Sequence, residues 1–426
     1  MSDRLLTIEI QSEVGRLEAV LLHTPGAEVE NMTPQNAQRA LYSDILNLSI
    51  ARKEYEQLSG VLAKIAKVYQ IKELLIKVLN DDAERERLIG KICISENVTG
   101  YFEYLMDLSS AKLADALIEG VPAKINTLTA YLKDEYYALL PLYNYYFTRD
   151  ASVSIGNNLL VCKMANRVRT RESLINDAIF KSSRLFECNV INAFDFQPGN
   201  KDIYMEGGDI LVAREDILLI GNGSRSSSQG IDMLVDRLCR NGHNERQHVI
   251  VQQLPSSPES FIHLDMVFTL LDRDKAMVFE PLILSDNQYQ TVHITIDNGR
   301  VSKIRSVNNI PSVLKRLGME VEPILCGGGD EWNQEREQWH SGANFFAIAP
   351  GKVIAYARNV NTLEELNKNG FEIISSQDII EGKRNMDDYK LCVITIDGSE
   401  LPRGGGGARC MTMPLKRSEG GKQQSY

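Results

Sequence analysis

The sequence has no closely spaced cysteine pair, and this absence excludes disulfide-framed and zinc-ribbon proteins. Its cysteines are scattered along 426 residues, and none belongs to a C-x-x-C motif. Their odd number and wide spacing are typical of proteins in a reducing cytosol. We therefore predict a cytoplasmic location. The seven cysteines are Cys93, Cys162, Cys188, Cys239, Cys326, Cys392 and Cys410.

Long hydrophobic runs and an excess of basic residues are also missing. No segment approaches the roughly 20 apolar residues that a membrane-spanning helix needs. The start, MSDRLLTIEIQSEVG, has acidic residues and no long apolar core, which argues against a signal peptide. Asp and Glu total 57 against 47 Lys and Arg, a net charge of −10. Because nucleic-acid binding requires a basic surface, we predict neither nucleic-acid nor membrane partners; a cationic small substrate is compatible.

One stretch, residues 53–142, differs from the rest of the chain in its apolar periodicity. Apolar residues recur at helical spacing in LSGVLAKIAKVYQIKELLIKVL, YFEYLMDL and AKLADALIEGVPAKINTLTAYL. Residues 107–110 offer helix caps, and Gly120 and Pro122 interrupt the pattern. We predict an inserted α-helical subdomain over 53–142, flanked by an α/β domain formed from 1–52 and 143–426.

The flanking regions repeat a strand–turn–strand–helix unit. Four copies have hairpin turns at Gly156-Asn157, 214–216, 272–274 and Pro350-Gly351. A fifth copy can be assembled from RCMTMPL near the C-terminus and RLEAVLLHTPG near the N-terminus. Closing the first and last units together would give a ring without exposed sheet edges. We therefore predict an α/β fold of five pseudo-symmetric units.

Polar motifs stand just before, or at the start of, the first strand of each unit. They are FTRD (147–150), EGGD (206–209), HLD (263–265), SGAN (341–344) and ARC (408–410). In a ring of equivalent units, equivalent strand starts point toward one central location. The register predicts a single shared site.

Cys410 is the candidate nucleophile of that site. It follows four consecutive glycines, which let the backbone approach a ligand or move as a gate. Neighbouring Arg403 and Arg409 are expected to lower the pKa of the thiol from its usual value of about 8.5. The alternative is an incidental cysteine in a flexible tail, which the strand-like MTMPL argues against. Cys326 also adjoins glycines, but we interpret it as a buried thiol in a tight turn.

His263 is the candidate acid–base partner of the thiol. It lies two residues before Asp265, so an extended backbone directs both side chains to one face. Histidine is also the side chain that titrates near neutrality. The alternative is a core histidine that is satisfied by backbone groups.

Acidic side chains complete the candidate site. A guanidinium presents its donors in a rigid plane that carboxylates match in pairs. We assign Asp150 and Asp265 to such a pair, and Glu206 to orienting the histidine. Arg169 and Arg225 follow the second strands of consecutive units and are candidates for receiving a carboxylate. The alternatives are a turn aspartate, a strand-cap glutamate and solvated arginines.

Together these motifs resemble those of the bacterial arginine deiminases, within the guanidine-modifying superfamily of five-bladed α/β propellers (penteins). The resemblance spans nearly the whole chain and includes EVGRLEAVLLHTPGAEVENMTP, NYYFTRD, EGGD, HLD, CGGGD with EREQW, AIAPGKVIAYARN and RGGGGARCMTMPL. It implies a pentein propeller with a helical insertion. It also implies hydrolysis of L-arginine to L-citrulline and ammonia through a covalent amidino–cysteine intermediate, with neither a metal nor an organic cofactor.

The resemblance implies a role for each matching residue. Cys410 would be the nucleophile and His263 the acid–base, with Asp150 and Asp265 gripping the guanidinium and Glu206 assisting. The residues that match the family's substrate contacts and its gate are Asn144, Phe147, Arg169, Arg225 and Arg403. Arg167 and Arg171 are alternatives to Arg169, and Arg409 is an alternative gate. The chain departs from the family pattern at HSGAN, where Asp-Gly-Asn-Asn is usual, at GNGSRS, where Gly-x-Ser-x-Arg-Thr is usual, and at LYSDILNL.

Three other functions stay open on the sequence. An amidinotransferase would use the same site and pass the covalent intermediate to an amine in place of water. Deimination of another guanidine, such as agmatine, is disfavoured by Arg169 and Arg225, because agmatine lacks the carboxylate. A catalytically silent arginine-binding protein is disfavoured because the cysteine, the histidine and all three acids are present. A homo-oligomer is compatible with the sequence.

Overall fold

The computed structural model describes residues 5–32, 42, 44–125, 128–132, 136–182, 184–195, 202–240 and 246–418. Within these residues, five sheets share one design. Two antiparallel strands form a pair, and the second of them also pairs in parallel with a third strand. A parallel partner requires a crossover connection, and each crossover contains a helix. We call these sheets the first to fifth units.

Each unit consists of an antiparallel pair of strands followed by the parallel strand. From the first unit to the fifth, the strands are Ser152–Ile155, Asn158–Val161 and Asn189–Asn192; Ile210–Arg214, Ile217–Asn222 and Gln247–Gln253; Phe268–Asp272, Lys275–Val278 and Glu322–Leu325; Phe346–Ala349, Lys352–Tyr356 and Cys392–Ile396; and Met413–Ser418, Arg16–Leu22 and Lys67–Gln70. The crossover helices, in the same order, are Thr170–Ser182, Ser228–Arg240, Ile310–Arg316, Val360–Lys368 and Leu48–Ile65.

Further strands extend two of the units or form small sheets. Thr291–Asp297 and Arg300–Val307 continue the second unit, and Glu372–Ser375 pairs in parallel within the fourth. The two small sheets join Leu6–Thr7 with Phe186–Glu187, and Val121–Pro122 with Tyr137–Leu139. The short helices and 3-10 turns outside the crossovers and the helical region are Ala27–Glu30, Thr148–Ala151, Arg167–Arg169, Ala193–Asp195, Gly207–Asp209, Glu259–Phe261, Leu264–Met266, Glu280–Ile283, Glu331–Trp339, Ser376–Ile380, Met386–Asp388 and Leu401–Gly404.

Strands from the two ends of the chain pair as the sequence predicted. Arg16–Leu22 runs antiparallel to Met413–Ser418, with Leu21 opposite Met413 and Arg16 opposite Ser418. The pairing is stable because both strands are largely buried. It fixes Cys410, three residues before Met413, against the rest of the molecule. The α/β class and the fifth unit's strand pairing are therefore confirmed.

The predicted helical stretch is helical over most of its length but contains three strands, Lys67–Gln70, Val121–Pro122 and Tyr137–Leu139. Its helices are Ile71–Val78, Asp82–Ser95, Phe102–Met106, Ser110–Glu119 and Leu128–Leu132, with a 3-10 turn at Thr99–Tyr101. Ser109 caps one of them by accepting a hydrogen bond from the Lys112 N–H, and Gly120 ends it with a φ of 91°. The boundaries at 53 and 142 stay a prediction.

Continuous helix through residues 67–70 was a wrong prediction. Lys67–Gln70 is a strand that pairs in parallel with 19–22 of the fifth unit. The helical spacing of its apolar residues could not reveal this, because the pairing partner lies far away in the sequence. The crossover helix Leu48–Ile65 and this strand therefore belong with the fifth unit.

Apolar side chains from different units share continuous cores. Leu219, Met277 and Val353, from the second, third and fourth units, lie in one buried cluster. Strands such as Ile217–Asn222 are buried on both faces, as expected where a sheet is covered on each side. Among the residues that the structure describes, no helix is both long and apolar enough to cross a membrane.

We predict that Gly207→Ala destabilises the protein, because Gly207 lies where the first and second units meet. A Cβ at this position would lie 2.1 Å from the carbonyl oxygen of Arg149, so backbone must shift. We expect the free energy of unfolding to fall by about 1–3 kcal/mol, measured by urea denaturation. Gly90→Ala is the control: it lies within a helix with open space around it, so its stability should hold or rise. Equal stability of Gly207→Ala and the parent would contradict the close approach.

Candidate active site

A single hydrogen-bonded turn precedes the first strand of every unit. In each turn a backbone N–H donates to the carbonyl three residues earlier. The pairs are Asp150 with Phe147, Asp209 with Glu206, Met266 with His263, Asn344 with Ser341, and Thr412 with Arg409. The predicted catalytic residues all lie in these turns, and every one of them is buried. The sequence register thus corresponds to a repeated local structure.

His263 and Glu206 form a buried charged pair. His263 Nε2 lies 3.0 Å from Glu206 Oε2. Burial lowers the pKa of His263, but Asp150, the hydrogen bond to Glu206 and the charge of Asp209 outweigh it and raise that pKa to about 9. Burial raises the pKa of Glu206, but His263 and Arg225 bring it down to about 2. At neutral pH the imidazole is therefore protonated and the carboxylate ionised.

Two polar atoms beside this pair have no hydrogen-bond partner among the described residues. They are His263 Nδ1 and Asp150 Oδ1, which are buried and lie 3.8 Å apart. Gly208 leaves room for them, because a Cβ there would lie 2.5 Å from His263 Nδ1. Unsatisfied buried polar groups are costly. The arrangement suits a ligand that is polar on the side facing these atoms.

Arg169 holds the other oxygen of Asp150. Its Nη1 lies 2.7 Å from Asp150 Oδ2, and its Nη2 lies 2.8 Å from Glu172 Oε2 and 3.3 Å from the Asn144 carbonyl. Arg169 is itself buried. A guanidinium so fully engaged orients Asp150, leaving Oδ1 facing the site.

Arg409 holds Asp265 in the same manner. Arg409 Nη1 lies 2.8 Å from Asp265 Oδ2, while Nε and Nη2 each lie 3.0 Å from an oxygen of Glu13. Arg409 lowers the pKa of Glu13 to about 2 despite its burial. Because Arg409 is buried between two carboxylates, its position differs from that expected of a mobile gate.

The Cys410 thiol is buried against these acids. Its Sγ lies 3.7 Å and 3.9 Å from the two oxygens of Asp265, and Asn344 Nδ2 donates to it at 3.2 Å. Burial, then the charges of Asp265 and Asp150, raise the pKa of the thiol well above its usual value. The expected lowering by neighbouring arginines is wrong for the thiol in these surroundings: Arg409 acts in that direction but is outweighed.

The predicted substrate-binding residues differ in their surroundings. Arg225 and Arg403 border a small cavity of about 50 Å³ together with the start of the glycine run. Arg225 Nη1 lies 3.8 Å from Glu206 Oε1. Arg403 is exposed and pairs with Asp44 at 2.5 Å. Phe147 is buried, and its ring packs on that of Tyr146 with centroids 4.2 Å apart.

Asp150, Glu206 and His263 also place one potential metal-ligand atom each within 4.8 Å of the others. Ligation of a metal by His263 would require loss of its proton, which the surrounding acids hold by raising the pKa to about 9. The carboxylates are also already paired, Asp150 with Arg169 and Glu206 with His263. The electrostatics of these residues favour an organic cation over a metal ion.

The sequence missed several residues that support the site. Glu54, buried on the helix Leu48–Ile65, accepts hydrogen bonds from the N–H groups of Ser399, Glu400 and Leu401. It thereby anchors the start of the loop that carries the thiol. Glu54 has no motif around it, and Glu13 opens the quoted EVGRLEAVLLHTPGAEVENMTP with no local sign of its pairing with Arg409. On the sequence each has the pattern of an ordinary surface acid.

We predict that Glu206→Gln lowers the pKa of His263 below about 9, because it removes an anion and an acceptor. The raised pKa of His263 contributes stability that is present below about pH 6.5 and is lost as pH rises through about 9. That loss is on the order of 3 kcal/mol in the parent. Between about pH 6.5 and 9 the free energy of unfolding should fall less in the variant than in the parent. Denaturation at several pH values measures this difference, and NMR titration of the imidazole measures the pKa of His263. Glu259→Gln, an exposed change, should match the parent. An unchanged His263 titration in Glu206→Gln would disprove the pairing.

Comparison with known proteins places the chain among relatives of one kind. A family model described as arginine deiminase matches residues 38–417. The arginine deiminase of Borreliella afzelii is 32% identical over 440 residues, covering 98% of this chain and all of the relative. That of Mycoplasma capricolum is 32% identical over 419 residues, covering 97% and 98%.

Solved structures with similar folds are more distant in sequence. An amidinotransferase of saxitoxin biosynthesis from Microseira wollei has a TM-score of 0.53 at 15% identity, covering 99% of this chain and all of the other. The N-terminal domain of ArgZ, a cyanobacterial arginine dihydrolase bound to product, has a TM-score of 0.51 at 14% identity, covering 94% and 97%. These likenesses concern the fold. The family match and the full-length relatives together show that the chain belongs to the arginine deiminase family, whose members are hydrolases of C–N bonds in linear amidines.

Proposed function

We propose that this protein hydrolyses L-arginine to L-citrulline and ammonia, with Cys410 as nucleophile. One observation carries the proposal: Asp150 and Asp265 each have one oxygen held by a protein arginine, and the other is directed into the site. Two carboxylate oxygens beside a thiol complement a planar guanidinium that must be held for attack on its central carbon.

The proposed reaction begins with binding of the substrate cation between Asp150 and Asp265. Its positive charge offsets the carboxylates that raise the pKa of Cys410, so the thiol proton leaves to water and a thiolate forms. The sulfur bonds to the guanidinium carbon. Protonated His263 then gives its proton to one terminal nitrogen, the C–N bond breaks, and ammonia departs from an S-linked amidino intermediate.

Water completes the proposed reaction. Neutral His263 takes a proton from a water molecule, and the resulting hydroxide adds to the amidino carbon. Cleavage of the C–S bond returns the electron pair to sulfur and releases the ureido product, whose excess proton restores the Cys410 thiol. Glu206 holds His263 by Nε2, so Nδ1 faces the reacting groups in both steps.

The α-carboxylate of the substrate is proposed to bind Arg225. This arginine lies at the cavity's border, and its side chain is 15% exposed. Arg169, in contrast, is saturated by Asp150 and Glu172, so we propose that it acts through Asp150. Asn144 and Phe147 are proposed to line the amino-acid end, and Arg403 the entrance.

The proposal extends to the architecture and the compartment. We propose that the five units close into a pentein propeller around this site, with the helices that follow the strand Lys67–Gln70, from Ile71–Val78 to Leu128–Leu132, as a helical subdomain. The seven cysteines are free, which supports a reducing cytoplasm. A homo-oligomer stays compatible with this arrangement.

Cys410→Ser is expected to abolish citrulline formation while arginine still binds, because serine lacks a sulfur that ionises at this site. Colorimetric citrulline assay and calorimetric binding measure the two properties. Cys239→Ser, at a half-buried helical position, is the matched control and should turn over normally. Full activity in Cys410→Ser would end the proposal. Transfer of the amidino group to added glycine would identify an amidinotransferase.

Arg225→Lys is expected to raise KM for L-arginine by roughly tenfold, because lysine cannot make a bidentate contact with a carboxylate. Turnover of agmatine, which has no carboxylate, serves as the internal control and should keep its kcat/KM. Steady-state kinetics with both substrates test this. An equal loss for both substrates would show that Arg225 acts on the reacting groups through Glu206 instead.

A further inference from the structure

Asn344 connects the backbone of the nucleophile to its sulfur. Its Oδ1 accepts hydrogen bonds from the N–H groups of Arg409 at 2.9 Å and Cys410 at 3.2 Å. Its Nδ2 donates to Cys410 Sγ at 3.2 Å and to the Asp265 carbonyl at 3.1 Å. Rotating the amide by 180° would set its donors against two N–H groups. The four contacts therefore fix which atom faces the sulfur.

The hydrogen bonds that Asn344 accepts have a counterpart in another unit. At the equivalent turn of the second unit, Asp209 Oδ1 accepts a hydrogen bond from the Leu264 N–H of the third unit at 2.9 Å. The Oδ1 contacts of Asn344 likewise link the fourth unit to the fifth. A carboxylate serves that structural purpose as well as an amide. What a carboxylate cannot provide is the N–H that Asn344 directs at sulfur.

The surroundings of the sulfur explain why a donor matters there. Asp265 and Asp150 disfavour a negative charge on Cys410, as does its burial, while Arg409 and the Gly407 N–H favour it. The buried phenols of Tyr146 and Tyr356 also lie within the electrostatic influence of Cys410. Among the described side chains, Asn344 makes the hydrogen bond to Sγ in which nitrogen is the donor.

We propose that Asn344 is a catalytic residue that stabilises the Cys410 thiolate through its Nδ2–H. The assignment rests on the proposed function, in which Cys410 is the nucleophile. A hydrogen bond to an ionised acceptor is about twice as strong as one to a neutral acceptor. The bond therefore favours the thiolate before attack, weakens when the C–S bond forms, and strengthens again as sulfur departs from carbon.

Asn344→Asp tests the proposal because it separates the two roles. The carboxylate still accepts from the Arg409 and Cys410 N–H groups, but the donor to sulfur is lost and a negative charge takes its place. The rate of alkylation of Cys410 by iodoacetamide, followed on its own peptide by mass spectrometry across pH, reports the thiolate. We expect that rate to fall about tenfold or more at neutral pH and the profile to move to higher pH. Because the carboxylate also loses the hydrogen bond to the Asp265 carbonyl, the melting temperature should fall as well, and alkylation is measured well below it.

Two further variants make the outcome decisive. Asn344→Ala removes the donor without adding charge, so alkylation should slow by a smaller factor while the melting temperature falls. Asn385→Asp keeps its exposed capping contact with the Asp387 N–H and should leave the alkylation profile unchanged. Alkylation of Asn344→Asp identical to the parent, or failure of both Asn344 variants to fold, would give Asn344 a structural role only. Alkylation requires no turnover. Absence of citrulline formation by the parent would therefore disprove the proposed function without deciding the role of Asn344.

Discussion

Buried negative charge is the constraint on which the site depends. Asp150 and Asp265 are both almost fully buried, and an unpaired carboxylate in such a place is costly. Arg169 and Arg409 offset that cost by engaging one oxygen of each carboxylate. The remaining oxygens have a fixed direction. The fold thus directs these two oxygens at a position that suits one planar cation. The proposed chemistry follows because that position lies beside Cys410 and His263.

In the proposed reaction, the same arrangement keeps the thiol neutral until a cation binds. Burial and the acids that would grip the guanidinium raise the pKa of Cys410. Formation of the proposed thiolate would therefore depend on the cation that it attacks. His263 is adjusted in the opposite sense, since the acids around it hold its proton. One set of charges thus favours the proton on the proposed acid and disfavours a negative charge on the proposed nucleophile.

Local patterns in the sequence predicted much of this. The sequence predicted the hairpin turns, the strand starts and the pairing of RLEAVLL with MPLKRS, because turn residues and strand alternation are local signals. It also predicted the candidate site, because Cys410, His263 and the acids stand at the starts of equivalent strands. Residues that depend on distant partners were not readable. Glu13 meets Arg409 across 396 positions, and the strand Lys67–Gln70 exists because 19–22 offers it hydrogen bonds. Asn344 stood in the predicted register, but only the folded structure reveals that its amide faces sulfur.

The pairing of Arg16–Leu22 with Met413–Ser418 has a consequence for biosynthesis. Contacts in this unit join positions as much as 402 residues apart, such as Arg417 and Gly15. Ribosomes make a chain from its N-terminus, so the strand that positions the sulfur is translated long after its partner. The strand Arg16–Leu22 therefore lacks this antiparallel partner until residues 413–418 have been made. Under the proposed function, the nucleophile reaches its place only when these two strands pair.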